Sequence, residues 1–155
     1  MKLLEGKTAI VTGASRGIGR GIALVFAQQG ANIAFTYSSS VEAANELEKE
    51  LNALGVKAKG YKSNAASFQE AQDLAEAVVV EFGAIDILVN NAGITKDRTL
   101  ARMKPEHWQD VLNVNLHAIT ALNESLGISK LEPEPTLRDN GRVVLMVVTS
   151  LLPRY

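Results

Sequence analysis

The chain has 155 residues, 46% hydrophobic and 21% charged, with a formal net charge of −1 and no cysteine. This length predicts one domain with a sizeable core. The near-zero charge leaves no electrostatic footprint for nucleic acid or an anionic membrane, and the missing cysteines exclude disulfides, thiol nucleophiles and thiolate metal sites. The start, Met1-Lys2-Leu3-Leu4-Glu5-Gly6, has no long apolar region after its charge, so it does not read as a signal peptide. No apolar run approaches a membrane span. A soluble, cytoplasmic protein without a metal site is the expectation.

In chain order, Lys7 to Thr12 reads as a strand and Gly17 to Gln29 as a helix closed by Gly30. Ala31 to Tyr37 is a second short strand. Ser39 stands three residues before Glu42 as a capping box, and Val41, Ala44, Leu47, Leu51 and Leu54 form a helical apolar stripe ended by Gly55. Val56 to Lys62 is a weaker third strand. Ser67 and Glu70 repeat the capping box, and Ala71, Leu74, Ala75, Val78 and Phe82 mark the next helix. Asp86 to Asn90 is a buried strand. Strands and helices alternating at this pitch predict an α/β fold, a doubly wound parallel sheet of about five strands in a single domain over residues 1–155.

The most informative stretch is Thr12-Gly13-Ala14-Ser15-Arg16-Gly17-Ile18-Gly19, which follows the apolar run Ala9-Ile10-Val11 and opens the first helix. A strand, a glycine turn and a helix start make a site for a dinucleotide pyrophosphate. Glycine admits the phosphates close to the backbone, and the helix N-terminus offers free N–H groups and partial positive charge. The spacing is G-x-x-x-G-x-G, not G-x-G-x-x-G, and a plain strand-to-helix turn is the alternative. A site for NAD usually places Asp or Glu at the end of the second strand. Here no acidic residue lies between Gly19 and Glu42, and the strand ends in Tyr37-Ser38-Ser39. Arg16 is a candidate partner for a 2′-phosphate, which favours NADP(H); the alternative is a solvated loop charge.

The run Gly83 to Gly93 ends in Asn90-Asn91-Ala92-Gly93, two amides and a small-residue turn at the carboxyl end of a central strand, where ligands bind in open α/β sheets. With T-G-x-x-x-G-x-G, this N-N-A-G resembles the short-chain dehydrogenase/reductase family, and within it the 3-oxoacyl-[acyl-carrier-protein] reductases, over Lys7 to about Leu116. The resemblance implies a Rossmann-like sheet with strand order 3-2-1-4-5. It implies that Gly13 to Arg16, with Gly17, Ile18 and Gly19, hold the pyrophosphate side and that Ser38 lies near the adenosine phosphate. Asn64-Ala65 takes the place of the family's adenine-contacting pair, and Asn91-Ala92-Gly93 lies along the nicotinamide-side ribose.

Pro105 suits the first turn of a further helix, with Trp108, Leu112, Ile119, Leu122 and Leu126 at helical spacing and Asn115 in the same stripe. An amide on a buried face needs partners, so Asn115 reads as a satisfied core amide or one at a subunit interface. By resemblance it matches the asparagine that holds a proton-relay water. His107 and His117 read as surface residues.

Residues 128–141 contain Pro133 and Pro135 and read as a loop, followed by a fifth strand, Arg142 to Val148, and a divergent tail. The family ends this strand in a carbonyl-polarising serine, where Val148 stands here; Ser150, two residues on, is a substitute at an altered position or the start of a turn. Tyr155 is the last residue and has no lysine four positions on, so the Tyr-x-x-x-Lys pair, in which a cation lowers a phenol's pKa, is missing. The resemblance implies an NADPH-dependent reductase of 3-oxoacyl-acyl-carrier-protein thioesters in fatty acid synthesis, with impaired chemistry. A non-catalytic NADP-binding or scaffold module and a truncated or fused product are the alternatives. Self-association is expected through the last strand or the helix around 105–127.

Overall fold

The computed structural model describes residues 2–96, 99–126 and 143–146. Five strands form one sheet: β1 (Thr8–Val11), β2 (Asn32–Tyr37), β3 (Ala58–Lys62), β4 (Ile87–Asn90) and β5 (Val143–Met146). Their order is β3-β2-β1-β4-β5, and every pairing is parallel, the topology expected. The helices are α1 (Gly17–Gln28), α2 (Val41–Ala53), α3 (Phe68–Phe82), α4 (Pro105–Leu112) and α5 (Ala118–Ser125). The proline-containing loop at 128–141 and the tail after Met146 lie outside the described residues.

Parallel strands buried on both faces read as unbroken apolar runs, and β1, T-A-I-V, is buried at all four positions. Alternate residues serve opposite layers. Ala9 and Val11 join Ile33, Phe35 and Val89 beneath α1 and α2, packing on Ala23, Ala27, Leu47 and Leu51. Ile10, Ala34 and Leu88 face the other way, onto Leu74 and Val78 of α3 and Leu122 and Leu126 of α5. Asp86 accepts from the Thr8 N–H at 2.9 Å and from Lys7 Nζ at 2.9 Å, tying the starts of β1 and β4 together.

The structure corrects three local readings. Ser40, not Ser39, is the N-cap of α2, and its side chain makes no capping bond. At α3, Ser67 Oγ does accept from the Glu70 N–H at 3.3 Å. The Glu70 carboxylate, however, accepts from the Asn64 N–H; the turn before the helix competes for it. Third, the helix around 105–127 is not continuous: a π turn, Asn113–His117, separates α4 from α5. Each added residue rotates the following face by about 100°. Leu122 and Leu126 therefore enter the core while Trp108 stays 61% exposed.

Leu47 is fully buried between α2 and the sheet, so Leu47→Ala should lower unfolding free energy by about 2–5 kcal/mol. Val80 is 87% exposed, and Val80→Ser should change it by about 0.5 kcal/mol or less. Urea denaturation of both variants checks the pair; a larger loss at Val80 than at Leu47 would overturn the layer assignment.

Candidate functional site

Crossovers leave the carboxyl ends of β1 and β4 in opposite directions, since α1 lies on one face and α5 on the other. That reversal opens a crevice where ligands bind in such sheets. Thr12 closes its floor. Its hydroxyl accepts from the backbone N–H groups of Asn91 and Ala92, each at 2.9 Å, and donates to the Val89 carbonyl at 3.3 Å. The Asn91 side chain returns the tie, its Nδ2 donating to the carbonyls of Thr12 at 2.9 Å and Gly13 at 3.1 Å. Sequence reasoning quoted Thr12 but gave it no role, because a threonine before a glycine has no distinctive pattern.

The glycine turn is fixed to β2 as well: Gly13 N donates to Thr36 Oγ1 and Ala14 N to the Thr36 carbonyl, both at 3.0 Å. Gly13 has φ +65°, and a Cβ there would stand 2.9 Å from Ala92 Cα. A Cβ on Gly19 would collide with the Asn91 amide nitrogen. These two glycines are required by protein packing. Gly17 differs: its φ is +62° and a Cβ would meet nothing within 4 Å, so the open ground over the helix start lies there. Ile18 and Arg16 are exposed, Ala14 is buried and Ser15 half-buried.

Arg16 is the N-cap of α1 in extended conformation; no side chain caps that helix and no acid lies in its first turn. Its first N–H groups and dipole are therefore left for an anion. Arg16 itself enters no ion pair among the described residues. Beside the glycine turn, Ser38 is exposed at the end of β2. Asn64 accepts through Oδ1 from the Ala66 N–H at 3.1 Å, holding the turn after β3. Ala65, Ala92 and Val114 join Thr12, Thr36 and Asn90 around a cavity of about 30 Å³, room for roughly one water. Ala65 and Ala92 are thus brought to one cavity with Thr12, the residue that leads into the glycine turn.

Asn115 lies half-buried in the π turn. Its Oδ1 accepts from the Ile94 N–H at 2.8 Å and its Nδ2 donates to the Ile94 carbonyl at 2.9 Å. The amide mimics a peptide and pins the segment after Gly93. Asn90 and Asn123, both buried, make a longer contact behind it at 3.5 Å; Asn123 was not singled out from sequence. Val148, Ser150 and Tyr155 lie outside the described residues.

The groups with shifted titration lie on β3 (Lys59, Tyr61) and at the end of α3 (Glu81). Hydrogen bonds from Lys57 and Lys59 hold the Glu81 carboxyl below the usual range, the same bond raises Lys59, and burial raises the Tyr61 phenol. Among the described residues no helix is long and apolar enough to cross a membrane.

Comparison with known proteins agrees with this architecture. The 3-oxoacyl-[acyl-carrier-protein] reductase FabG of Staphylococcus epidermidis is 41% identical over 138 residues, 89% of this chain and 54% of the relative. FabG of Escherichia coli is 43% identical over 122 residues, 79% of this chain and 48% of that protein. The chain thus spans about half the length of these relatives. Among solved structures, a short chain dehydrogenase from Burkholderia cenocepacia in complex with NADP superposes with a TM-score of 0.78 at 37% identity, over 81% of this chain and 51% of that one. A blue fluorescent protein from a metagenomic library, in complex with NADPH, gives 0.77 at 37% identity, over 81% and 52%. The family model for short chain dehydrogenase matches residues 7–150, and the chain belongs to that family.

Proposed function

We propose that residues 1–155 form a single NADP(H)-binding domain, the cofactor half of a cytoplasmic reductase acting on 3-oxoacyl thioesters of acyl carrier protein. The uncapped α1 N-terminus beside Arg16, which enters no ion pair among the described residues, carries this reading. The residues present suit the cofactor: the space over Gly17 is open, and the stretch from Gly19 to Glu42 holds no acid that would repel a 2′-phosphate. Bound NADPH supplies a hydride to a carbonyl. The chain's part is to orient it. The N–H groups at Gly17 to Gly19 receive the pyrophosphate, and Arg16 with Ser38 receives the adenosine phosphate. Ala65 meets the adenine, and Asn91 to Gly93, fixed by Thr12, set the nicotinamide-side ribose. Asn115 acts through Ile94, holding that segment in place.

Within the 155 residues no tyrosine is followed by lysine at the fourth position. General acid catalysis contributes about 10²–10⁴-fold and a carbonyl-polarising donor about 10²–10³-fold. The 155-residue polypeptide therefore binds cofactor without useful turnover.

Arg16→Ala should weaken NADPH about 10- to 100-fold and leave NADH nearly unchanged, since charge-assisted bonds to phosphate are worth about 1.5–3 kcal/mol. Calorimetric titration checks this, and equal losses for both cofactors would sink the 2′-phosphate assignment. NADPH oxidation with a short 3-oxoacyl thioester should stay at background; robust turnover abolished by Tyr155→Phe would establish Tyr155 as the acid. Trp108 and Leu116 leave 61% and 56% of their surface exposed on either side of the α4 end, and we propose that copies associate there. Trp108→Glu should shift the chain toward monomer in sedimentation, whereas association unchanged by it would point to the edge of β5.

A further inference from the structure

The glycine turn and the end of β2 are locked together at Thr36, so Arg16 and Ser38, each two residues past that lock, flank one patch of surface. β3 brings a second cation there. Tyr37 pairs in register with Lys62, and Ser63 N donates to the Tyr37 carbonyl at 3.0 Å. Neighbouring strands lie about 4.8 Å apart, which sets the Lys62 backbone one residue away from Ser38.

Its face is fixed by alternation. A Cβ on Gly60 would meet the Phe35 ring at 2.8 Å and the Tyr37 ring at 3.4 Å, and Ala58 belongs to the same core layer as Phe35. Lys62 follows Ala58 and Gly60 onto that layer, the one from which α1 and Arg16 approach.

The other lysines of this edge are occupied. Lys57 and Lys59 both bind Glu81, at 2.6 and 3.0 Å. The Lys62 ammonium enters no ion pair among the described residues. The one acid in the facing row of α2, Glu48, is engaged two residues earlier on β3. Asn52 contacts Ala58 through Oδ1 at 3.1 Å and Glu48 accepts from Gly60 N at 2.7 Å. One turn earlier that row holds Ala44 and Asn45, and then Val41.

We infer that Lys62 is a second cation of the adenosine-phosphate subsite, acting with Arg16 to select a 2′-phosphorylated dinucleotide over its unphosphorylated counterpart. This rests on the cofactor reading above. A lysine on an outer strand also discourages edge-to-edge pairing, but that role is indifferent to which cofactor binds. Selection is what separates the two.

The test is a calorimetric titration of NADPH and NADH into the 155-residue chain and its Lys62→Met and Lys62→Arg variants. Lys62→Met should weaken NADPH about three- to tenfold with NADH unchanged. Lys62→Arg should retain the preference, and the Met effect should shrink at about 1 M salt, where exposed charges are screened. If the unaltered chain prefers NADPH but Lys62→Met weakens neither cofactor, or both equally, the inference is overturned and the cofactor reading stands. If the unaltered chain binds the two cofactors alike or not at all, the reading and the inference fall together.

Discussion

The hydroxyl of Thr12 is the constraint from which the crevice follows. Two parallel strands whose crossovers leave to opposite faces have no helix shared between their carboxyl ends. Here one oxygen accepts from two N–H groups of β4's extension and donates to a third residue, using its full bonding capacity. A side chain of the same shape without the oxygen leaves both N–H groups without that acceptor, at about 1–3 kcal/mol each. With the strand ends drawn together, Ala92 lies so close to residue 13 that only glycine fits. The Asn91 amide in turn occupies the space a side chain on residue 19 would need. The glycine spacing is thus partly a consequence of strand packing, and of the turn's three glycines only Gly17 has open space where a Cβ would stand.

The topology was legible because it rests on periodicity. A buried parallel strand such as Ile87-Leu88-Val89-Asn90 is apolar at consecutive positions, and the stripes Ala44-Leu47-Leu51 and Ala71-Leu74-Ala75-Val78 bury as spaced. What was not legible depends on competition between near-equal local partners. Glu70 takes the N–H of Asn64 instead of closing its own capping box, whose Ser67 N–H donates to the Asn64 carbonyl. Ser39 and Ser40 are chemically alike, and the path of the chain out of β2 decides which precedes the helix. The π turn at 113–117 is invisible to a 3.6-residue stripe, since Asn115 draws on Ile94, a partner far away in sequence, to hold the extra residue.

The same division appears in the charges. The outer edge of β3 spends Glu81 on Lys57 and Lys59, and α1 and α2 share an exposed Arg20–Glu50 pair. Exposed pairs of this kind contribute little to stability; their consequence is positional, because each removes a cation from service elsewhere. Arg16 and Lys62 remain without acidic partners among the described residues, and both lie at the carboxyl end of the sheet. Sequence reading found Arg16 through its place in the glycine turn. Lys62 stayed hidden because only strand register brings it beside Tyr37.

Binding and chemistry are separable in this fold for a structural reason. The ties that shape the crevice (Thr12 to β4, Thr36 to the glycine turn, Glu70 to Asn64, Asn115 to Ile94) all run between residues 12 and 115. None of these four ties calls on a residue beyond α5. A cradle closed on itself in this way keeps its geometry whatever stands next to it, so long as the two core layers fold. Carbonyl reduction makes a different demand, for an acid and a polarising donor placed within hydrogen-bond reach of the reacting oxygen. Those groups have to be delivered to the open side of a crevice that is already built. Within one family such an arrangement lets the cofactor half be kept intact while the residues that face the substrate change.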